Sequence, residues 1–302
     1  MSKMISVKRK KKKKIADIAF VTINTFVLFL FVIITLYPII NTLAISFNDG
    51  VDALRGGIYL WPRKFSLQNY ISVFKTKNLL VGTKISVLRT VIGTATSLFT
   101  TALLAYVLSQ KEFVFKRSIS FLYVMTMYVN GGLIPTLLLY KNLNLMNSFW
   151  VYIIPGMVSA FNMIVIRTFM NGLPDSLSES AKVDGAGHFT IFMKIIMPLC
   201  KPVLATVALF TAVYQWNAWF DVMIYNRMSP QLTTLQYELM KLLSSVMTTG
   251  ANAESIKNSG NMVTPAAIRA AATIVTAFPI VCIYPFLQRY FVTGLTIGGV
   301  KE

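Results

Sequence analysis

The chain has 302 residues, of which 55% are hydrophobic and 13% charged, with a mean hydropathy of +0.61 and a formal net charge of +18. Soluble domains carry about 25% charged residues, so this composition excludes an ordinary soluble protein and points to a chain that crosses a membrane several times. The positive excess does not signal nucleic-acid binding. Eight of the first fourteen residues are basic (Lys3, Lys8, Arg9 and the lysine run 10–14), and no nucleic-acid motif accompanies them.

A basic block directly before an apolar run anchors topology and meets anionic lipid headgroups. Residues 1–17 therefore read as a basic cytoplasmic tail. The apolar run that follows is too long for the core of a signal peptide, and no small-residue cleavage site comes after it, so it reads as an uncleaved first span.

A helix crossing ~30 Å of hydrocarbon needs about 20 mostly apolar residues. Six segments meet this length, near 18–45, 85–108, 118–140, 149–170, 202–224 and 269–291. Pro38, Pro135, Pro155, Pro279 and Pro285 fall inside them. Such breaks persist in lipid where neighbouring helices satisfy the freed backbone groups, so the spans read as a packed bundle. With the N-terminus inside, six spans place the C-terminal tail, 293–302, inside as well. Two long outer loops, 46–84 and 225–268, and one long inner loop, 171–201, connect the spans. The membrane-spanning body is thus 18–292, an all-α membrane fold of six transmembrane helices.

The inner loop contains "LPDSLSESAKVDGAGHFTIFMKIIMPLCKP", residues 173–202. Ser176 and Glu179 have the spacing of a capping box, which predicts a short helix over 176–184. Gly185 breaks it, because glycine tolerates the left-handed geometry at a helix C-terminus. A second helix is expected over 188–196, with Pro198 stopping it and returning the chain to the membrane. Leu177, Ala181 and Ala186 are expected to offer a small apolar ridge.

The spacing Glu179-Ser180-Ala181, three residues, Gly185, nine residues, Ile195-Ile196-Met197-Pro198 resembles the "EAA" loop of bacterial ABC importer permeases. It departs from that pattern only in Ser180 for Ala and Met197 for Leu. The stretches "YPIINTLAISFND", "WPRKFSLQNY", "WNAWFD" and "LQRYFVTGLTIGGVKE" are similar to the binding-protein-dependent, maltose-type carbohydrate permeases, especially the oligosaccharide permeases of Gram-positive bacteria. The resemblance implies a type I ABC importer permease with a cytoplasmic coupling helix, in which Glu179, Ser180, Ala181, Asp184, Gly185 and Pro198 form the contact to an ATPase. It also implies a second, related permease subunit, a homodimeric cytoplasmic ATPase, an extracytoplasmic solute-binding lipoprotein and an oligosaccharide substrate, in a bacterial cytoplasmic membrane.

No G-x-x-x-x-G-K-[ST] phosphate loop is present, so ATP and Mg would be held by the separate ATPase, with no cofactor in this chain and no catalysis by it. Cys200 and Cys282 are not expected to pair, and His188 alone cannot build a metal site.

Sugar sites combine aromatic platforms with a few polar groups. The fifth span supplies Tyr214, Gln215, Trp216, Asn217, Trp219 and Asp221. At 100° per residue, Tyr214, Asn217 and Asp221 would share one helix face. Asn130, in "YVNGGLIP", and Asn162 are further polar residues expected on a translocation path. Arg89 and Arg167 read as interfacial side chains that extend toward water. Two other readings compete with sugar import by an ABC importer. One is a permease of the same superfamily for other cargo, and the other is an ion-coupled secondary transporter, which would place ionisable groups mid-membrane.

Overall fold

The computed structural model describes residues 2–75, 77–249 and 264–296, with side chains from residue 17 onward except toward the ends of the last two helices. The basic side chains of the N-terminal tail, part of the second outer loop and residues 297–302 of the C-terminal tail lie outside the described residues. Among the described residues the chain is helical throughout, and its only strand-like pairing is an isolated bridge between Asn48 and Phe65. The chain divides into two units, 1–73 with 249–274 and 74–248 with 275–302.

The first unit is led by α1, Ser2–Ser46, which runs without interruption from the basic tail through the expected first span. The segment after it is not open loop. It holds α2, Gly50–Ala53, and the start of α3, Gln68–Lys75. Polar side chains organise this stretch. Asn69 donates to the carbonyls of Ser46 (2.9 Å) and Asn48 (2.8 Å), while Asp52 accepts from Asn48 (3.0 Å) and Arg63 (3.1 Å). The hydrogen bond from Asn48, opposed by burial and helped by Arg63, holds the Asp52 carboxyl below its ordinary value.

The second unit is built around α4, Lys77–Ser109, which starts eight residues before the expected second span. It continues with α5, Lys116–Tyr128, and α6, Leu133–Asn142. These two meet at an angle of 119°, a sharper break than a bent span requires. Gly132 takes φ 85° and ψ 176° at the break, a conformation essentially confined to glycine. Two short 3₁₀ turns, Phe149–Tyr152 and Ile154–Gly156, lead at 45° into α7, Ala160–Met170. The expected inner loop forms α8, Ser176–Val183, and α9, His188–Ile191. A π-helical turn at Phe192–Ile196 then joins the short α10, Met197–Leu199.

The chain bends by 82° at Cys200 into α11, Lys201–Asn217. Pro198 therefore does not stop the helix as expected. It lies within α10, and the turn comes two residues later, just before Pro202 opens α11. The rest is α12, Phe220–Tyr225, α13, Leu235–Thr249, and α14, Pro265–Thr296.

Three described helical stretches are long and apolar enough to cross a membrane: Asp17–Ser46, Lys77–Ser109 and Pro265–Cys282. Three bent pairs reach the same length and apolarity together: α5 with α6, the 3₁₀ turns with α7, and α9–α10 with α11. The core of the second unit joins α4, α7, α8, α9 and α11. Ala102 and Ala105 on α4, both 0% exposed, leave room for the buried Met163, Ile166, Phe192 and Val207. Small residues at such contacts let helix backbones approach closely, which drives packing where lipid is as apolar as the side chains.

Candidate functional site

The expected fifth span does not continue to Asp221. Helix α11 ends at Asn217 because Ala218 is extended (φ −70°, ψ 127°), and α12 starts afresh at Phe220. Tyr214, Asn217 and Asp221 consequently do not share one helix face. The break frees the Ala218 carbonyl, toward which Arg89 Nη1 points at 3.4 Å. Irregular backbone of this kind is tolerated at membrane depth where protein or a water-filled cavity surrounds it.

Arg89 is the centre of this region. It is 1% exposed and does not extend outward as its position in the sequence suggests. Its Nη2 and Nη1 donate to the two Asp221 carboxylate oxygens at 2.6 and 3.2 Å, and its Nε donates to Gln215 Oε1 at 3.0 Å. The guanidinium lies 4.4 Å from the Tyr152 ring centroid. Arginine suits this role because its planar fork matches a carboxylate and also stacks on an aromatic face. Gly93 makes the arrangement possible: a Cβ there would come within 2.7 Å of Gln215 Nε2, so only glycine lets Gln215 lie flat against α4.

A cavity of about 610 Å³ opens over this network. That volume lies within the ~300–1,000 Å³ of small-molecule sites. Tyr214, Asn217, Trp219 and Asp221 line it, as do Tyr140, Tyr152, Phe220 and Tyr225. Five of the lining residues, Tyr214, Gln215, Asn217, Trp219 and Asp221, stand in the fifth-span stretch singled out from the sequence, which missed Arg89 and three tyrosines from other elements. An arginine inside an apolar run was the available signal for Arg89, but nothing local distinguished an inward from an outward orientation.

Three expected path residues lie elsewhere. Trp216 is buried and donates its indole N–H to the Thr276 carbonyl (2.9 Å), so it packs between helices. Asn162 is buried on α7, 3.4 Å from Thr211 Oγ1. Asn130 is exposed at the α5–α6 break, where its Oδ1 accepts from the Gly132 N–H (2.9 Å). Arg167 donates to Ser120 Oγ at 2.6 Å.

The inner loop presents Glu179, Ser180, Asp184, Gly185 and Pro198 as exposed residues. Gly185 has φ +79°, the left-handed geometry expected of it, and the Ala186 N–H closes the helix end on the Ala181 carbonyl at 2.9 Å. The capping box does not form. Asp175 takes the N-cap position without a side-chain cap bond and instead meets Lys111 Nζ at 2.5 Å. Ala181 is buried in the helix core, so it supports α8 from inside and does not add to an outer ridge. The exposed large apolar residues of this loop are Leu177, Val183, Phe189, Met193 and Leu199. A second ion pair, Lys182 with Glu112 (3.0 Å), ties α8 to the turn after α4. The hydrogen bond from Lys182 holds the Glu112 carboxyl below its ordinary value, and the one to Asp175 pushes Lys111 up.

Long apolar helices, broken around an aromatic cavity with a few polar groups, define a helical membrane transport protein. Comparison with known proteins makes this specific. The chain is 36% identical over 275 residues to the polygalacturonan/rhamnogalacturonan transport system permease protein YtcP of Bacillus subtilis, covering 91% of this chain and 95% of that one. It is also 36% identical over 269 residues to protein LplC of the same organism, covering 89% and 90%. Among solved structures it is similar, with a TM-score of 0.82 and 29% identity over 91% of this chain and 98% of the other, to a bacterial ABC transporter involved in the import of the acidic polysaccharide alginate. No family model matches the sequence. The chain belongs to the sugar-transport permeases of the ABC importers.

Proposed function

We propose that this chain is a six-span permease subunit that imports oligosaccharides across a bacterial cytoplasmic membrane, with both termini on the cytoplasmic side. In this reading each bent helix pair is one span. The cavity at the α11–α12 break is the observation that carries the assignment: rings from four elements and a partly exposed carboxylate suit the flat apolar faces and hydroxyls of a sugar.

The chain works with a second permease subunit, which completes the path, and with a solute-binding lipoprotein that delivers the sugar from outside. A separate ATPase dimer binds ATP and Mg in the cytoplasm and pushes on the 173–198 loop through Glu179, Ser180, Asp184 and Gly185. Such a push needs a rigid lever, and three features of α8 support that reading. It is closed at Gly185, rooted in the core by Ala181, and tied to the turn after α4 by two ion pairs. Rigid-body rocking of packed helices then alternates access to the cavity.

The test is uptake by cells or vesicles carrying the complete assembly, with ATP depleted and ion gradients held intact. Loss of oligosaccharide uptake is expected. Persisting uptake overturns the ATP-driven reading and favours ion coupling.

A further inference from the structure

We propose that the cavity at the α11–α12 break selects uncharged sugar units and discriminates against carboxylated ones. This deepens the sugar-site reading and rests on it. Among the described residues lining the cavity, Arg89 is the one cation and Asp221 the one carboxylate.

Arg89 is in no position to meet an acidic ligand. Both of its terminal nitrogens are engaged by Asp221, its Nε by Gln215 and its face by Tyr152, and its side chain is 1% exposed. Gln215 lies equally deep, at 2% exposure, with its Nε2 directed at the Tyr152 carbonyl (3.4 Å). Asp221 differs from both because its side chain keeps 24% exposure. The charged group presented to the cavity is therefore an acceptor, the Asp221 carboxylate, oriented from behind by Arg89.

A carboxylate that retains accessible lone pairs forms strong hydrogen bonds with sugar hydroxyls. Tyr214, 68% exposed, and Trp219 add flat faces for the apolar side of a pyranose ring. A uronate unit would instead bring a second carboxylate against Asp221 with no unengaged cation among the described lining residues to offset it. Juxtaposed like charges in a partly desolvated site are strongly disfavoured. The preference inferred from the cavity's own groups runs opposite to the acidic polymers for which two similar transporters are named.

The experiment uses the assembly purified with its second permease and its ATPase but without the binding protein, so that only the membrane cavity selects. The probes are α-1,4-linked digalactose and digalacturonate, which differ at C6 in CH₂OH against carboxylate. Binding is read by calorimetric titration and tryptophan quenching. Digalactose is expected to bind at least about tenfold more tightly.

Asp221→Asn releases Arg89 and should narrow or reverse that ratio. Because losing the ion pair can impair folding, Tyr214→Arg provides a second variant, which adds a cation at an exposed position and leaves the pair intact. Equal or tighter binding of digalacturonate by the unaltered assembly overturns the charge preference and leaves the sugar reading standing. Binding of neither disaccharide overturns both. An unchanged ratio in folded variants overturns the assignment of the preference to this cavity.

Discussion

Arg89 on α4 and Asp221 on α12, 132 positions apart in the chain, meet through two nitrogens and two oxygens at 2.6 and 3.2 Å. This pair closes the broken end of α11 against α4. Removing one partner of a buried pair leaves an uncompensated charge and costs about 3–5 kcal/mol. Asp221 retains some exposure, so Asp221→Ala should fall near the low end, about 3 kcal/mol. Replacing both residues with apolar ones should cost less than the sum of the single changes. Thermal unfolding of the four purified proteins of this double-mutant cycle measures the coupling. Additive losses would mean that the pair contributes no specific interaction.

The two tryptophans of the same stretch should behave differently. Trp216 is 8% exposed and hydrogen-bonded to Thr276, so Trp216→Ala should destabilise by about 3–5 kcal/mol, mainly through lost packing. Trp219 lines the cavity. Trp219→Ala should lower oligosaccharide-stimulated ATP hydrolysis in the reconstituted complex with only a small change in melting temperature. If the two phenotypes were exchanged, the cavity would be misassigned.

Gly82 on α4 provides a purely steric prediction. A Cβ there would come within 2.9 Å of Leu235 N and Thr234 C, both backbone atoms that cannot rotate away. Gly82→Ala should therefore cost about 1–3 kcal/mol by forcing α4 and the start of α13 apart. Gly56→Ala makes no close contact, though its φ of +70° still imposes strain. Comparing the two melting temperatures separates overpacking from backbone strain.

In the inner loop, Gly185→Ala meets open space but must hold φ near +79°. The left-handed region costs an L-residue about 1–2 kcal/mol, which should loosen the end of α8 locally. Membrane insertion should stay normal while the yield of co-purified ATPase falls, and Gly185→Pro should abolish that association. Wild-type recovery of the ATPase with both variants would count against the lever.

The Lys182–Glu112 tie should respond to acid. The Glu112 carboxyl is held below its ordinary value, so the stabilisation it supplies is present above the unfolded-state value of about 4.3. It is lost as pH falls through the lower folded-state value. The protection of amides 110–115 against exchange, corrected for the pH dependence of the intrinsic rate, should accordingly fall on acidification, and Lys182→Met should produce the same fall at pH 7. Equal protection in that variant at neutral pH would show that the tie does not hold the loop.

The sequence by itself determined that this chain is an all-helical membrane protein with a short helix closed at Gly185 between two of its apolar segments. Those properties follow from local chemistry: long apolar runs, a glycine where left-handed geometry is required, and polar residues at fixed spacing. It also pointed to Tyr214, Asn217, Trp219 and Asp221, because polar groups beside aromatic rings stand out in an apolar span. Only the tertiary structure decided that α11 ends at Ala218, that Trp216 packs between helices, and that Arg89 turns inward to hold Asp221. The physical reason is that side-chain orientation within an apolar helix depends on what lies across from it. Gly93, Gln215 and Tyr152 come from three separate elements, and no local pattern of the chain records that they meet.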